Sequence, residues 1–454
     1  MALTKVSSIM TTQATNIAEI KTQGSSVSDN DSISVLGYYT AGDSGGGTFY
    51  WDATSTETDN GGTIIQATGV TTGRWKRLYE GAVNVKWFGA VGDYTISGAV
   101  NPSPTDDGTA LQNAATYCGE DKVLYLPANA FYTTTSISIS CSVKGTRPME
   151  IGTDVDNLRS AIVYSGADTG ALYTTTPSYN KTYKDFMIYV LTTGCEMGFD
   201  IVYGGNSNLF ENITIYAKTG TTGHKFGIYL RGLDRNDVDN QHQHYNVFTG
   251  LSIASFPCGI RLGDQSASTN ALANATTVSN SIVFSATHAM EVIGQQCTIS
   301  GFWHYAPIVF SGNTGAATII GGYFEPIAGS KFMIIDDGTM GIYKGGDVGT
   351  NDIGVIIGYG EHLTHSNITD HTGNNRYSIA SYKRPTMRAI YDHSDNEIVM
   401  FDGTTGLTIM DSAWDNKHLA LGNYHLWVDA TGDLRMKSGS PTSDTDGTIV
   451  GTQS

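Results

Sequence analysis

The residues best equipped for chemistry lie near position 300. In ISGFWHYAP, Ile299 to Pro307, Trp303, His304 and Tyr305 stand side by side. An extended chain points successive side chains to opposite faces, so these three rings cannot all enter one core. Further on, GGYFEP supplies Tyr323 and Glu325. Trp and Tyr rings stack on the C–H faces of sugars, and a carboxylate beside them can bond hydroxyls or protonate a glycosidic oxygen. The alternative is an aromatic wall covered by a long loop or by a neighbouring subunit.

Other candidates come from repeated segments upstream. GIYLR, GIRLG and AMEVI contribute Tyr229, Arg261 and Glu291. Arg261 and Glu291 either form a surface ion pair of small value or grip or hydrolyse an acidic saccharide. The insertion RGLDRNDVDNQHQHY, Arg231 to Tyr245, is too polar for a core and too long for a turn. Its Arg231, Asp234, Asp237, Asp239 and His242 are ligand contacts if the loop protrudes, or a solvated or subunit-packed loop otherwise. A glycosidase with Glu325 as general acid needs a second carboxylate. Glu291 stands first, then Asp234, Asp237 and Asp239.

The histidines do not form a metal site by spacing. His242 with His244, and His362, His365 and His371, lack a zinc pattern with a recognisable third ligand. The GGG at Gly45 lacks the Lys and helix of a phosphate loop. No cofactor is expected.

The elements that must position these residues are strands. Gly numbers 54 and charged residues are 15% of the chain, a composition of strands and turns with little helix-forming material. At 454 residues the chain exceeds one compact core, so it divides or it repeats. It repeats. A first strand recurs from positions 198 (GFDIV), 227 (GIYLR), 259 (GIRLG), 289 (AMEVI) and 307 (PIVFS). A second accompanies each: NITIYA, GLSIAS, SIVFSA, GFWHYA and GGYFEP. Each pair reads as one coil of a solenoid whose loops vary in length.

Stacking the second strands gives two inward columns, Ile213, Leu251, Ile282 and Phe302, then Ile215, Ile253, Phe284, His304 and Phe324. Trp303 and Tyr305 then point out, beside Tyr323 and Glu325 of the next coil about 4.8 Å away. The first strands place Asp200, Tyr229, Arg261, Glu291 and Val309 in one outward column.

One stretch carries a specific resemblance. WFGAVGD, the acidic pair Asp106 and Asp107 able to cap a helix, ALQNA, VLYLP and SISIS occur in that order. This closely resembles the opening of the pectate-lyase-like right-handed β-helices of bacteriophage tailspikes. The preceding GGGTFYWDATSTETDNGGTII with GRWKRL is similar to the head-proximal domain of such spikes, and the end of the chain, from HLWVDATGDLRM, to segments shared among phage tail proteins. The loop from Tyr94 to Thr105 is longer than the tight turn usual there.

The expected fold is all-β, a right-handed parallel β-helix with small β domains at both ends. A polar or helical segment spans 1–33, a head-proximal β domain 34–82, the β-helix with its carbohydrate-binding face 83–360, and a β-rich trimerisation or receptor-binding domain 361–454. The resemblance implies a homotrimer on a virion tail, joined to tail or baseplate through its N-terminus. It would be made in the host cytoplasm and act outside the host cell, binding capsule or O-antigen polysaccharide and cleaving it as an endoglycosidase. A non-catalytic receptor-binding fibre and a polysaccharide lyase are the alternatives.

Charge and hydropathy exclude other classes. Asp plus Glu number 43 against 26 Lys plus Arg, a net charge of −17 with no basic stripe, which disfavours nucleic acid. No apolar leader or spanning run occurs, so neither membrane insertion nor ordinary secretion is expected. The last point weakens a cellular polysaccharide lyase. Five widely spaced cysteines in apolar sequence read as reduced core fillers.

Overall fold

A computed structural model describes most of residues 12–324 and 423–452, with its longest internal gap there over 232–242; from 332 to 421 it describes strands of backbone. The chain forms two compact units, residues 1–353 with 360–375, and 354–359 with 376–454.

Alternating apolar residues and glycine turns build a small sheet first. Ser32–Val35, Gly47–Asp52, Arg74–Arg77 and Ile64–Ile65 pair antiparallel in that order, and Thr12–Ala14 adds a parallel strand beside Ser32–Val35. Their inward Ile33, Val35, Phe49, Trp51, Ile65 and Trp75 close on Ala14, Ile17 and Ile20, so the helical turn Ile17–Ile20 belongs to this core. Asn16 caps that turn, its Oδ1 accepting from the Glu19 amide at 2.9 Å. Arg77 joins the sheet to the short helical turn Val85–Phe88. Its buried guanidinium donates to the Gly45 and Gly62 carbonyls and lies over the rings of Phe49 and Trp87, which compensates a charge removed from water.

The turn WFGAVGD then opens the solenoid. Asp107 stands at the N-cap of helix Gly108–Cys118, yet its carboxylate accepts from the Val91 and Gly92 amides at 2.6 and 2.9 Å. Asp106 takes the Gly108 amide at 2.9 Å. The helix buries Ala110, Leu111, Ala114, Ala115 and Cys118, packing on Val123–Tyr125 and Ile137–Ile139.

From there the strands stack in parallel as a β-helix. One ladder runs through Gly170–Thr174, Met197–Ile201, Phe226–Leu230, Cys258–Leu262, His288–Val292, Ile308–Phe310 and Phe332–Asp336. These contain the recurring first strands. The other ladder carries two strands per coil, such as Val247–Thr249 and Ser252–Ala254, and extends to Gly341–Val348 and Leu363–Asp370. Like residues therefore stack on like. Tyr183, Phe210 and Phe248 form an interior ring column with centroids 4.9 and 4.4 Å apart. All five cysteines are free and buried.

The glycine that leads three of the first strands has a steric cause. A Cβ on Gly198, Gly227 or Gly259 would lie 2.4, 2.5 or 2.3 Å from a methyl of Ile215, Ile253 or Val283. The two ladders approach too closely there for a side chain.

The same approach corrects one expected register. Ile253 pairs with Val283 and Val283 with His304, so the inward column is Ile215, Ile253, Val283, His304 and not one through Phe284. Ile282 and Phe284 face outward, half-buried, while Ser281 and Val283 are buried. Residues Asp185, Asn212, Gly250, Asn280 and Gly301 all have φ between 47° and 64°. This bend fixes the register of the strand after it. Ser281 falls inside, where its hydroxyl donates to Ser279 O at 2.8 Å and accepts from the Leu251 amide at 3.1 Å.

The second unit pairs Gly354–Gly358 in parallel with Ile379–Ser381. It adds the antiparallel strands Ile390–Tyr391, Glu397–Asp402 and Gly406–Thr408, and a sheet of Leu419–Leu421, Tyr424–Val428, Asp433–Ser438 and Thr448–Thr452. Trp427 is buried in that sheet, its Nε1 donating to Asp444 O at 2.8 Å. Among the described residues no helix is long and apolar enough to cross a membrane.

If close approach sets the glycine column, Gly227→Val must force the ladders apart. The expected cost is roughly 1–3 kcal/mol, read as a lower denaturation midpoint. An unchanged midpoint would refute the packing described.

Candidate functional site

Two outward faces carry the residues of interest. On the two-strand ladder, Thr214, Ser252, Ile282, Trp303 and Tyr323 lie side by side on successive coils. Beside them run Tyr216, Ala254 and Phe284, with Tyr305 stacked on Phe284 at 4.4 Å. Trp303 is 40% exposed, Ile282, Phe284, Tyr305 and Tyr323 are half-buried, and His304 is buried.

Rings on this face meet in both ways: Trp303 stacks with Tyr305 at 6.1 Å and 18°, yet meets Tyr323 edge to face. Tyr189 and Tyr216 stack at 5.4 Å and 10°, so each spends a ring face on the other. Trp303 and Tyr323 meet at 5.4 Å and 82°. In an edge-to-face pair one ring keeps both its faces clear of the other, as a sugar-stacking platform requires.

The other face is an alternation of charge. Asp200, Tyr229, Arg261, Glu291 and Val309 occupy one register column. The Arg231 Nη2 donates to Asp200 Oδ2 at 2.9 Å, and its guanidinium lies 4.8 Å from the Tyr229 ring centroid. Arg261 Nη1 donates to Glu291 Oε2 at 2.7 Å, its Nη2 lies 3.5 Å from Asp264, and its guanidinium sits over Phe226 and Tyr229. The structure thus brings together Tyr229, Arg231, Arg261 and Glu291.

Their protonation states differ by environment. A hydrogen bond to His288, at 2.8 Å, and the charge of Arg261 hold Glu291 below the usual carboxylate range despite its burial. Burial pushes Asp200 up to about 6, against the pull of Arg231. Burial raises Tyr229 as well. Glu291 is therefore suited to accept a proton or hold a cation rather than to donate a proton. Asp200 and Glu291 stand three coil steps apart, roughly 14 Å at the usual strand spacing, too far for a glycosidase pair.

Residues 13–80 match the family described as "Phage tail protein small four-stranded beta-sheet domain". That range holds the four antiparallel strands and the Ile17–Ile20 turn. Over the whole chain, the tailspike protein of Acinetobacter phage vB_ApiP_P1 superposes with a TM-score of 0.54 at 15% identity, covering 92% of this chain and 78% of its own. The gp42 tailspike of Acinetobacter phage vb_AbaP_AS12 gives 0.54 at 11% identity, covering 95% and 90%. This chain has the tailspike fold. A phage tail β domain is followed by a parallel β-helix whose outer faces carry the aromatic and charged columns.

Some expected residues fall elsewhere. Glu325, Asp234, Asp237, Asp239 and His242 lie outside the described residues. Others were missed by reasoning on the sequence. Phe284 and Ile282 belong to the aromatic face, a placement signalled by Asn280 in line with Gly250 and Gly301. His288 and Asp264 complete the surroundings of Arg261. Each sits three residues from a residue of the outward column, a distance that an alternation pattern does not test.

His304 offers a pH test of the inward register. Full burial pushes its imidazole down to about 4, although Nδ1 donates to Ala306 O at 2.8 Å. A histidine depressed in the folded state contributes stability above its unfolded pKa, near 6.5. That contribution is lost as pH falls from about 6.5 to about 4, by roughly 3 kcal/mol at most. Thermal midpoints measured across this window should fall with acid, and His304→Leu should flatten the fall. An unaltered slope would place His304 outside the core.

Proposed function

We propose that this chain is a receptor-binding spike of a phage tail. In this reading the N-terminal β domain attaches to the tail and the β-helix binds polysaccharide on the bacterial surface. The observation that carries the reading is Trp303, exposed on a rigid ladder and set edge to face with Tyr323, on a chain whose residues 13–80 match a phage tail domain. Stacking supplies an adaptable, sequence-tolerant hold on a sugar, and the fixed strand spacing supplies orientation.

Cleavage is the further step of the proposal. Glu325, which follows Phe324 in the sequence, is the general acid we assign. The second carboxylate comes from Glu291 or from the loop aspartates Asp234, Asp237 and Asp239, with Tyr229, Arg231, Arg261 and His242 as further contacts. An acid beside an apolar wall gains proton-donating power from desolvation. A binding-only fibre is favoured by one observation. Glu291 is already engaged by Arg261 and His288.

Two variants distinguish these readings on purified capsule or O-antigen. Trp303→Ala should weaken saccharide binding by roughly 1–3 kcal/mol, the scale of a lost aromatic platform. Glu325→Gln should leave binding intact and reduce release of reducing ends by about a hundredfold or more. Cleavage at the parental rate would remove Glu325 from catalysis. No cleavage by the parent protein would leave the binding fibre, and release accompanied by unsaturated uronate absorbance would mean a lyase.

The spike is proposed to work as a homotrimer, since the sheet over Tyr424–Thr452 leaves Tyr424, Val428, Leu434, Ile449 and Val450 exposed, apolar surface that further copies would cover. Light scattering should then give three times the chain mass of 48.5 kDa. A monodisperse monomer would refute this.

A further inference from the structure

The charge arrangement on the two outward faces bears on which polysaccharides this molecule can hold. We infer that its ligand is an uncharged glycan, held by ring stacking and hydroxyl hydrogen bonds, rather than an acidic one held by arginine. This rests on the proposed function and narrows it.

The guanidiniums of the charged column are already matched. Arg231 faces Asp200 through two contacts of 2.9 Å. Arg261 has Glu291 at 2.7 Å and Asp264 at 3.5 Å. Two arginines thus stand against three carboxylates, all at least half-buried. A uronate or sialate arriving here must displace a protein carboxylate and leave it partly desolvated and unpaired, a loss that offsets most of the new contact. The planar fork of arginine, which would recognise such a group in bidentate fashion, is already turned toward protein carboxylates, Arg231 donating to Asp200 and Arg261 to Glu291.

The aromatic face offers an acidic polymer nothing better. Its outward columns read Ala130, Ala161, Met187, Thr214, Ser252, Ile282, Trp303 and Tyr323, and Tyr132, Val163, Tyr189, Tyr216, Ala254, Phe284 and Tyr305. No Lys or Arg occurs in either; Lys144 and Lys184 share a separate outward column of the same ladder, where Lys184 lies 3.7 Å from Glu211. The register position after Tyr323 is Asp347, and Glu325 lies close by in the sequence. Over the whole chain the net charge is −17, so a polyanion approaches against the field of the protein at every separation up to the Debye length. A neutral glycan meets no such barrier, and its C–H faces suit the ring of Trp303.

The inference is tested with the full-length protein on a microarray of purified bacterial surface polysaccharides, neutral and uronate- or sialate-bearing, probed at low and at high salt. The expected result is retention on neutral polysaccharides only, with signal changing less than about twofold between the two salts. Retention on acidic polysaccharides, weakening about tenfold or more with salt, would overturn the inference while leaving the receptor-binding function standing. Retention on no polysaccharide would overturn both together.

Discussion

Five successive coils of this molecule turn at a residue held in the left-handed region of backbone space, and the column of those residues sets the register of the strand beyond each bend. Asp185, Asn212, Gly250, Asn280 and Gly301 occupy it. Only glycine and, at some cost, Asn or Asp visit this region routinely. Stacking adds a second condition. Asn212 Nδ2 donates to Asp185 Oδ1 at 2.8 Å, whereas a Cβ on Gly301 would approach Asn280 Oδ1 to 2.9 Å. Once the bend is fixed, strand alternation leaves no freedom. The first and third residues after it point in and the second points out, which is how Trp303 reaches solvent and His304 does not.

That constraint also explains what could be read from the sequence. The first strands were legible because close packing against Ile215, Ile253 and Val283 excludes side chains and so prints a glycine at the head of GFDIV, GIYLR and GIRLG. Arg261 with Glu291 was legible for the same reason, since a regular coil length carries a column forward. The strand at 281–284 was not. Ile282, Val283 and Phe284 are three apolar residues in a row, and hydrophobicity alone cannot choose which pair faces the core. The tie is broken by Asn280, while the buried hydroxyl of Ser281 is compensated by hydrogen bonds to Ser279 and Leu251.

The charged column obeys a different logic from the aromatic one. Asp200 is 4% exposed and Tyr229 8%, so these groups have been taken largely out of water. Partly buried ion pairs return little net stability after desolvation, but removing one partner leaves a charge without compensation. The column is therefore better understood as fixing the arrangement of side chains over successive coils than as adding to stability. Tyr229 contributes by lying under both guanidiniums, which shields the pairs from solvent and keeps Arg231 and Arg261 directed along the helix rather than outward.

The exposure of Trp303 gains its meaning from how the chain treats other tryptophans. Trp51 and Trp75 meet edge to face inside the N-terminal sheet at 3% and 2% exposure, and Trp427 is buried at 3%. Burying an aromatic side chain is among the largest favourable terms a small domain has, and these domains use it. At Trp303 the same residue type is placed on the outside, with Ile282, Phe284, Tyr305 and Tyr323 around it. The bend at Gly301 leaves the residue two positions on no inward alternative, so the backbone geometry alone does not require an apolar side chain there. An apolar patch at a position where the backbone permits any residue is one whose free energy is recovered when something covers it. On a rigid ladder, with one ring of the Trp303–Tyr323 pair keeping both faces clear of the other, that cover is flat and apolar on the side it presents.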